Sequence, residues 1–191
     1  MEDAVTDPID VLANLFAHEG SRDYFGEAVS QSAHMLQAAD LARAAGASPS
    51  LVAAALLHDI GHFLGPVSGD DLMKGADNRH SESGAVWLSA WFGPAVTEPV
   101  RLHVAAKRYL CAVELTYLAE LSSASLYTLT VQGGPMSRSE AATFIDLPYA
   151  VDAVALRRWD EASKDPLATP APFDDYRPLL LDLLTPPFRV A

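Results

Sequence analysis

Cysteine is almost missing from this chain: Cys111 is the only one in 191 residues. One thiol excludes an internal disulfide framework and any cysteine-based zinc site, and the apolar context of Cys111 marks it as a packed side chain rather than a nucleophile. Long apolar runs are missing too. Half of the residues are hydrophobic, yet no uninterrupted stretch approaches the roughly 18–20 residues of a membrane helix, so no membrane partner is expected. The acidic stretch from Met1 to Asp7 lacks the basic and apolar regions of a secretory signal, and a cytoplasmic location is the expectation. Positive charge is scarce: 13 Lys and Arg against 25 Asp and Glu leave a formal charge of −12. The basic residues are scattered, which argues against a nucleic-acid partner, although a few local cations still suffice to hold a small anion.

Two-residue alternation, internal repeats and low-complexity segments are absent, and helical periodicity fills the chain. The length suits one domain spanning residues 1–191, with a core of about 8–184. A first helix is expected from Pro8 to Glu19, with Ile9, Leu12 and Phe16 on one face. A second, Ala-rich helix runs from Gly26 to Ala45 and is closed by Gly46. Ser48-Pro49 supplies an N-cap and a first-turn proline for a third helix carrying Leu51 to Ile60. Residues 61–79 hold four glycines and a proline and read as a loop, a candidate lid. Helical patterning resumes over His80–Trp91, from Ala95 to about Leu110, and from Glu114 toward Leu121. Ser137 and Glu140 match a capping box opening a short helix, and further helices are expected over Tyr149–Ala162 and Tyr176–Leu184. The fold class is all-α.

The segment that carries chemistry is His58-Asp59, at the end of a nearly wholly apolar helix. A carboxylate in such a setting needs a cation, a metal or several hydrogen bonds to offset its lost hydration. A metal satisfies both side chains. Asp59 offers two oxygens and can bridge two ions, whereas a neutral imidazole gives one lone pair to one ion. His34, His80, His103 and Asp160 extend the set on other helices, and six ligands are too many for one open site.

The order His34, His58-Asp59, Asp160 resembles the HD-domain superfamily, helical metal-dependent enzymes of which most are phosphohydrolases. His80 and His103 resemble the extra ligands of its dinuclear branch. Four strings, Tyr24-Phe-Gly-Glu27, His103-Val-Ala-Ala-Lys107-Arg-Tyr-Leu, Gln132-Gly-Gly-Pro-Met136 and Arg158-Trp-Asp160-Glu, are similar to those of the PhnZ-type mixed-valent diiron oxygenases that cleave carbon–phosphorus bonds. The likeness runs from about Tyr24 to Tyr176. It implies a single HD-domain helical bundle with a dinuclear centre. One iron is then held by His34, His58, Asp59 and Asp160, and the other by Asp59, His80 and His103.

The resemblance further implies an Fe(II)/Fe(III) pair, O2 as co-substrate, and a small organophosphonate as partner. The substrate is a 1-hydroxy-2-aminoethylphosphonate or its N-trimethyl analogue, and the products are phosphate with glycine or glycine betaine. Tyr24 is expected as a displaceable ligand of the second iron, and Tyr24 and Glu27 as one lip of the pocket, facing the substrate's cationic end. His62, Lys107, Ser125 and Thr128 surround the phosphonate, with Gln132 holding the glycine turn or touching substrate. Of these, Tyr24, Glu27, His62 and Lys107 are the residues expected to take part in catalysis. The competing reading is a metal-dependent phosphohydrolase, in which the same ions activate water against a phosphate ester.

Overall fold

A computed structural model describes residues 7–20, 27–64, 79–186 and 188. Among them no strand occurs, apart from an isolated bridge joining Phe92 to Leu184. Ten α-helices are described: α1 Pro8–His18, α2 Gln31–Ala44, α3 Pro49–Leu57, α4 His80–Leu88, α5 Pro94–Val113, α6 Leu115–Glu120, α7 Ser123–Val131, α8 Arg138–Ile145, α9 Ala150–Ala162 and α10 Arg177–Leu183. Short 3-10 turns cover Ile60–Phe63 and Phe173–Tyr176. No helix among the described residues is long and apolar enough to cross a membrane. The candidate lid falls mostly on residues 65–78, which lie outside the described residues, as do Tyr24 and Phe25.

Local signals account for many of the boundaries. Asp7 accepts a hydrogen bond from the Ile9 amide at 2.8 Å, and Ser48 one from Leu51 at 3.3 Å, each starting a helix whose first residue is proline. At the end of α2, Gly46 takes φ +70°, the left-handed turn that releases the chain toward α3. The capping box is complete: Ser137 Oγ accepts from the Glu140 amide, and Glu140 accepts from the Ser137 amide.

Two expected helices change. The second begins at Gln31, not Gly26, because Ser30 caps it by accepting from the Ala33 amide at 3.2 Å; residues 27–29 form bends. Glu27 therefore lies on the irregular approach to α2, outside the helix. The third helix ends at Leu57 rather than Ile60: Asp59 takes φ −103° and ψ 11°, outside helical geometry, and the chain tightens into a 3-10 turn.

Helix α3 has no polar face, and every residue from Leu51 to Leu57 is buried. It therefore sits at the centre, against α2, α5, α9 and α10. Each fully buried leucine in the surrounding core, such as Leu12, Leu56 or Leu88, contributes about 1.5–3 kcal/mol. Smaller clusters join α5 to α8 and α9 through Leu102, Phe144 and Ala153, and α5 to α6 and α7 through Leu110, Cys111, Tyr117 and Leu129. The Cys111 thiol is buried there, and that burial pushes its pKa up. The C-terminal segment is fastened to α2 by Asp40, which accepts from Tyr176 Oη at 2.7 Å and from the Ala171 amide at 2.8 Å.

Candidate metal centre

Six side chains from five parts of the fold meet in the interior. His34 comes from α2, His58 and Asp59 from the end of α3, His80 from the first residue of α4, His103 from α5 and Asp160 from α9, and all are buried. Asp59 lies between two groups of donors. Its Oδ2 is 3.6 Å from His58 Nε2 and 3.8 Å from His34 Nε2, while its Oδ1 is 3.3 Å from His80 Nε2 and 3.5 Å from His103 Nε2. Asp160 Oδ1 joins the first group, 3.3 Å from His34 Nε2 and 3.8 Å from His58 Nε2. Within each group the imidazoles close up, to 3.1 Å between His34 Nε2 and His58 Nε2 and 3.2 Å between His80 Nε2 and His103 Nε2.

Hydrogen bonding on the far side of the rings decides what those close approaches mean. His58 Nδ1 lies 2.8 Å from the Ala55 carbonyl, His103 Nδ1 2.7 Å from that of Val100, and His34 Nδ1 2.9 Å from that of Ser163. A carbonyl oxygen only accepts, so each Nδ1 carries the proton and each Nε2 is a bare lone pair. Burial also lowers the His58 pKa to about 4, which keeps the ring neutral. Lone pairs pointed at each other and at a carboxylate repel unless a cation lies between them. Asp160 Oδ1 makes the same point, since it is buried and accepts no hydrogen bond among the described residues. Bonds of about 2.0–2.2 Å to nitrogen and oxygen would hold donors of one ion roughly 3–3.6 Å apart, close to the separations found here. The donor set thus fits metal ions on both sides of Asp59, and imidazole with carboxylate suits iron among other first-row metals.

His62 adds to the second group. Its Nε2 is 3.9 Å from Asp59 Oδ1, its ring stacks on His80 with centroids 4.0 Å apart, and Asp59, His62 and His80 can present three donor atoms to one ion. Burial, then the neighbouring His80, holds the His62 pKa well below its ordinary value. The turn that carries His62 also seats His80: a Cβ built on Gly61 would lie 2.0 Å from the His80 carbonyl oxygen, so only glycine allows this approach.

One cavity opens onto the second group. Glu27, His62, Lys107, Ser125, Thr128 and Gln132 all line it, so every described residue expected around a substrate faces the same space. Lys107 Nζ donates to Thr128 Oγ1 at 2.8 Å, and burial followed by the charge of Arg157 lowers its pKa to about 7. Ser125 Oγ donates to Glu161 Oε2 at 2.8 Å, so its proton is already engaged. Gln132 Oε1 is buried without a hydrogen bond among the described residues.

Sequence reasoning missed Arg157 and Lys164, which line the same cavity, Glu161, which is paired to both, and Ser163 behind His34. Arg157 is buried and pairs with both Asp160 and Glu161. Burial pushes the Asp160 pKa up, but Arg157 together with His34 and His58 outweighs it and holds the carboxyl well below the usual carboxylate range. The available signal was spacing for Arg157, which stands one helical turn before Asp160; Lys164 lies past the end of α9, where helical spacing gives no signal. Arg158, part of the quoted string, instead faces outward and pairs with Glu114.

A profile of the HD domain matches residues 32–121, a span containing His34, His58, Asp59, His80 and His103. The chain is 42% identical over 159 residues to the glycine-betaine-forming (1-hydroxy-2-(trimethylamino)ethyl)phosphonate dioxygenase of Leisingera caerulea, covering 82% of this chain and 80% of that one. It is 45% identical over 144 residues to the hydroxymethylphosphonate dioxygenase of Gimesia maris, covering 75% and 72%. An uncharacterized protein of Acanthamoeba polyphaga mimivirus is 32% identical over 180 residues, 93% of this chain and 82% of the relative.

Proposed function

The chain belongs to the HD-domain family of phosphonate dioxygenases, and from that membership we propose that it cleaves the carbon–phosphorus bond of a small 1-hydroxyphosphonate with O2 at a pair of irons. The observation that carries the reading is Asp59, whose two oxygens face opposite histidine pairs beside a cavity lined with cations. The candidate substrates are 1-hydroxy-2-aminoethylphosphonate, its N-trimethyl analogue, and hydroxymethylphosphonate, the last two on the strength of the relatives' names.

The stoichiometry closes without an external reductant. One C–H and one C–P bond break, both atoms of O2 are taken up, and a carboxylate, phosphate and a proton result. Bound iron would supply the redox chemistry that lets O2 oxidise the carbon next to phosphorus. The first ion's ligands would be His34, His58, Asp59 and Asp160, and the second's Asp59, His80 and His103, with His62 within reach. The second group has fewer acidic donors and borders the cavity, so substrate oxygens would meet it first. Lys107 and Thr128 then grip the phosphonate. A dianion beside Lys107 restores the ammonium charge that burial had weakened, and the resulting charge-assisted hydrogen bonds fix the substrate's orientation. The buried walls keep bulk water away from the reacting carbon.

The test is to load the protein with iron, mix it with each phosphonate without O2, and then admit O2 while assaying phosphate. Release only after O2 is expected. O2-independent phosphate release from a phosphate monoester assayed alongside would instead favour the phosphohydrolase reading, and none from any of the three phosphonates would refute the substrate class.

A further inference from the structure

Lys164 lines the cavity together with Glu27. Its Nζ lies 2.9 Å from Glu161 Oε1, 3.0 Å from Ser122 Oγ, 3.0 Å from Ser125 Oγ and 3.3 Å from Glu27 Oε1. An ammonium has three protons to give, and the first three oxygens take them. Glu27 is the fourth and most distant neighbour, and its Oε1 is buried yet accepts no hydrogen bond among the described residues. The contact with Lys164 is thus an ion pair of charges without a hydrogen bond. Both side chains are largely enclosed, 11% and 16% exposed, so solvent only partly screens them.

Resting on the reading that a phosphonate fills this cavity, we infer that Lys164 sets which substrate ends the Glu27 lip accepts. With Lys164 in place the lip is a neutral pair. An uncharged end, such as the hydrogen of hydroxymethylphosphonate, then meets no bare carboxylate whose desolvation must be offset. A cationic end, such as trimethylammonium, is attracted by Glu27 but repelled by Lys164 only one side chain away. It gains fully from Glu27 only if Lys164 gives up its loosest contact, the one to Glu27, while keeping the other three. The lysine thereby broadens the lip toward uncharged substrates at the expense of cationic ones.

The test compares dissociation constants of hydroxymethylphosphonate and 1-hydroxy-2-(trimethylammonio)ethylphosphonate, measured without O2 on iron-loaded protein, together with KM and kcat for each compound turned over. In Lys164→Met the preference for the cationic compound should rise about tenfold over wild type, in KM rather than kcat. Glu27→Gln should move the preference the other way by a similar factor, giving a second route should the methionine variant fold poorly. Equal changes for both compounds, with wild-type phosphate release intact, overturn this inference and leave the functional reading standing. Absence of binding and of phosphate release for both compounds in wild type overturns the two together.

Discussion

His34 and His58 approach Nε2 to Nε2 at 3.1 Å, although each ring already donates its Nδ1 proton to a backbone carbonyl. Two lone pairs at that distance lower the stability of the empty protein, and a cation between them removes the cost. Metal should therefore act as a folding ligand. At a hundredfold excess over its dissociation constant, a bound ion contributes about 2.7 kcal/mol. For a chain of this size that corresponds to a Tm higher by about 5–10 °C. Scanning calorimetry of loaded and chelated protein reads the difference, and identical melting curves would contradict it.

Asp59 is the one carboxylate facing both histidine groups, through different oxygens. Asp59→Ala should lower metal content on both sides, from two ions per chain to below one. Asp160→Ala removes a donor from one side alone and should leave about one ion. Metal analysis of the purified variants distinguishes the two patterns, and two ions retained in Asp59→Ala would rule out the bridge.

Lys107 should impose a basic limb on the pH profile. Its pKa falls from 10.5 to about 7 in the folded chain. Between those values the unfolded chain holds a proton that the folded chain lacks, so this group makes stability rise with pH across that window. Substrate capture needs the charged form and should weaken as pH climbs through about 7. Lys107→Arg keeps the charge and should carry the limb to higher pH. Lys107→Met should lower kcat/KM about 10–100-fold near neutrality and abolish the limb.

Gly61 admits the His80 backbone so closely that an added methyl group would collide with its carbonyl. Gly61→Ala should cost about 1–3 kcal/mol through overpacking. It should also displace His80, so that ions are lost from the Asp59, His80 and His103 side first. Iron analysis alongside thermal melting checks this, and a variant with full metal content and wild-type Tm would show that the approach is dispensable.

Asp40 serves the fold rather than the site. Removing it strands the hydroxyl of the buried Tyr176 and the Ala171 amide. Asp40→Ala should cost about 1–3 kcal/mol while leaving metal content unchanged. A chevron or melting measurement gives the first figure and metal analysis the second.

Much of this was legible in residues that act locally. Ser48-Pro49 and the Ser137/Glu140 box announce helix starts because their hydrogen bonds span only two or three residues. The start of α2 was not legible, because the Ala-rich run continues through residues 27–29 and nothing in it breaks a helix before Ser30 takes over as cap. For the same reason Ser122 went unread as the cap of α7. His58-Asp59 stands out as a polar pair at the end of an apolar run, and the other four donors through an order that resembles the HD-domain pattern. Arg157 and Glu161 do not, since on a sequence they look like the solvated face of an Ala-rich helix, and Lys164 lies just past its end. Only the packing of α9 against α5 and α2 turns that face inward.

The seat of Cys111 has a consequence for a protein that handles O2. Enclosed between α5, α6 and α7 and kept in its protonated form by that enclosure, the sole thiol offers oxidants a slow target. The polypeptide carries no sulfhydryl switch to be thrown by oxidative stress. Inactivation in air would then trace to the bound metal, and a mild reductant with fresh metal ions, rather than a thiol-repair partner, would be the remedy.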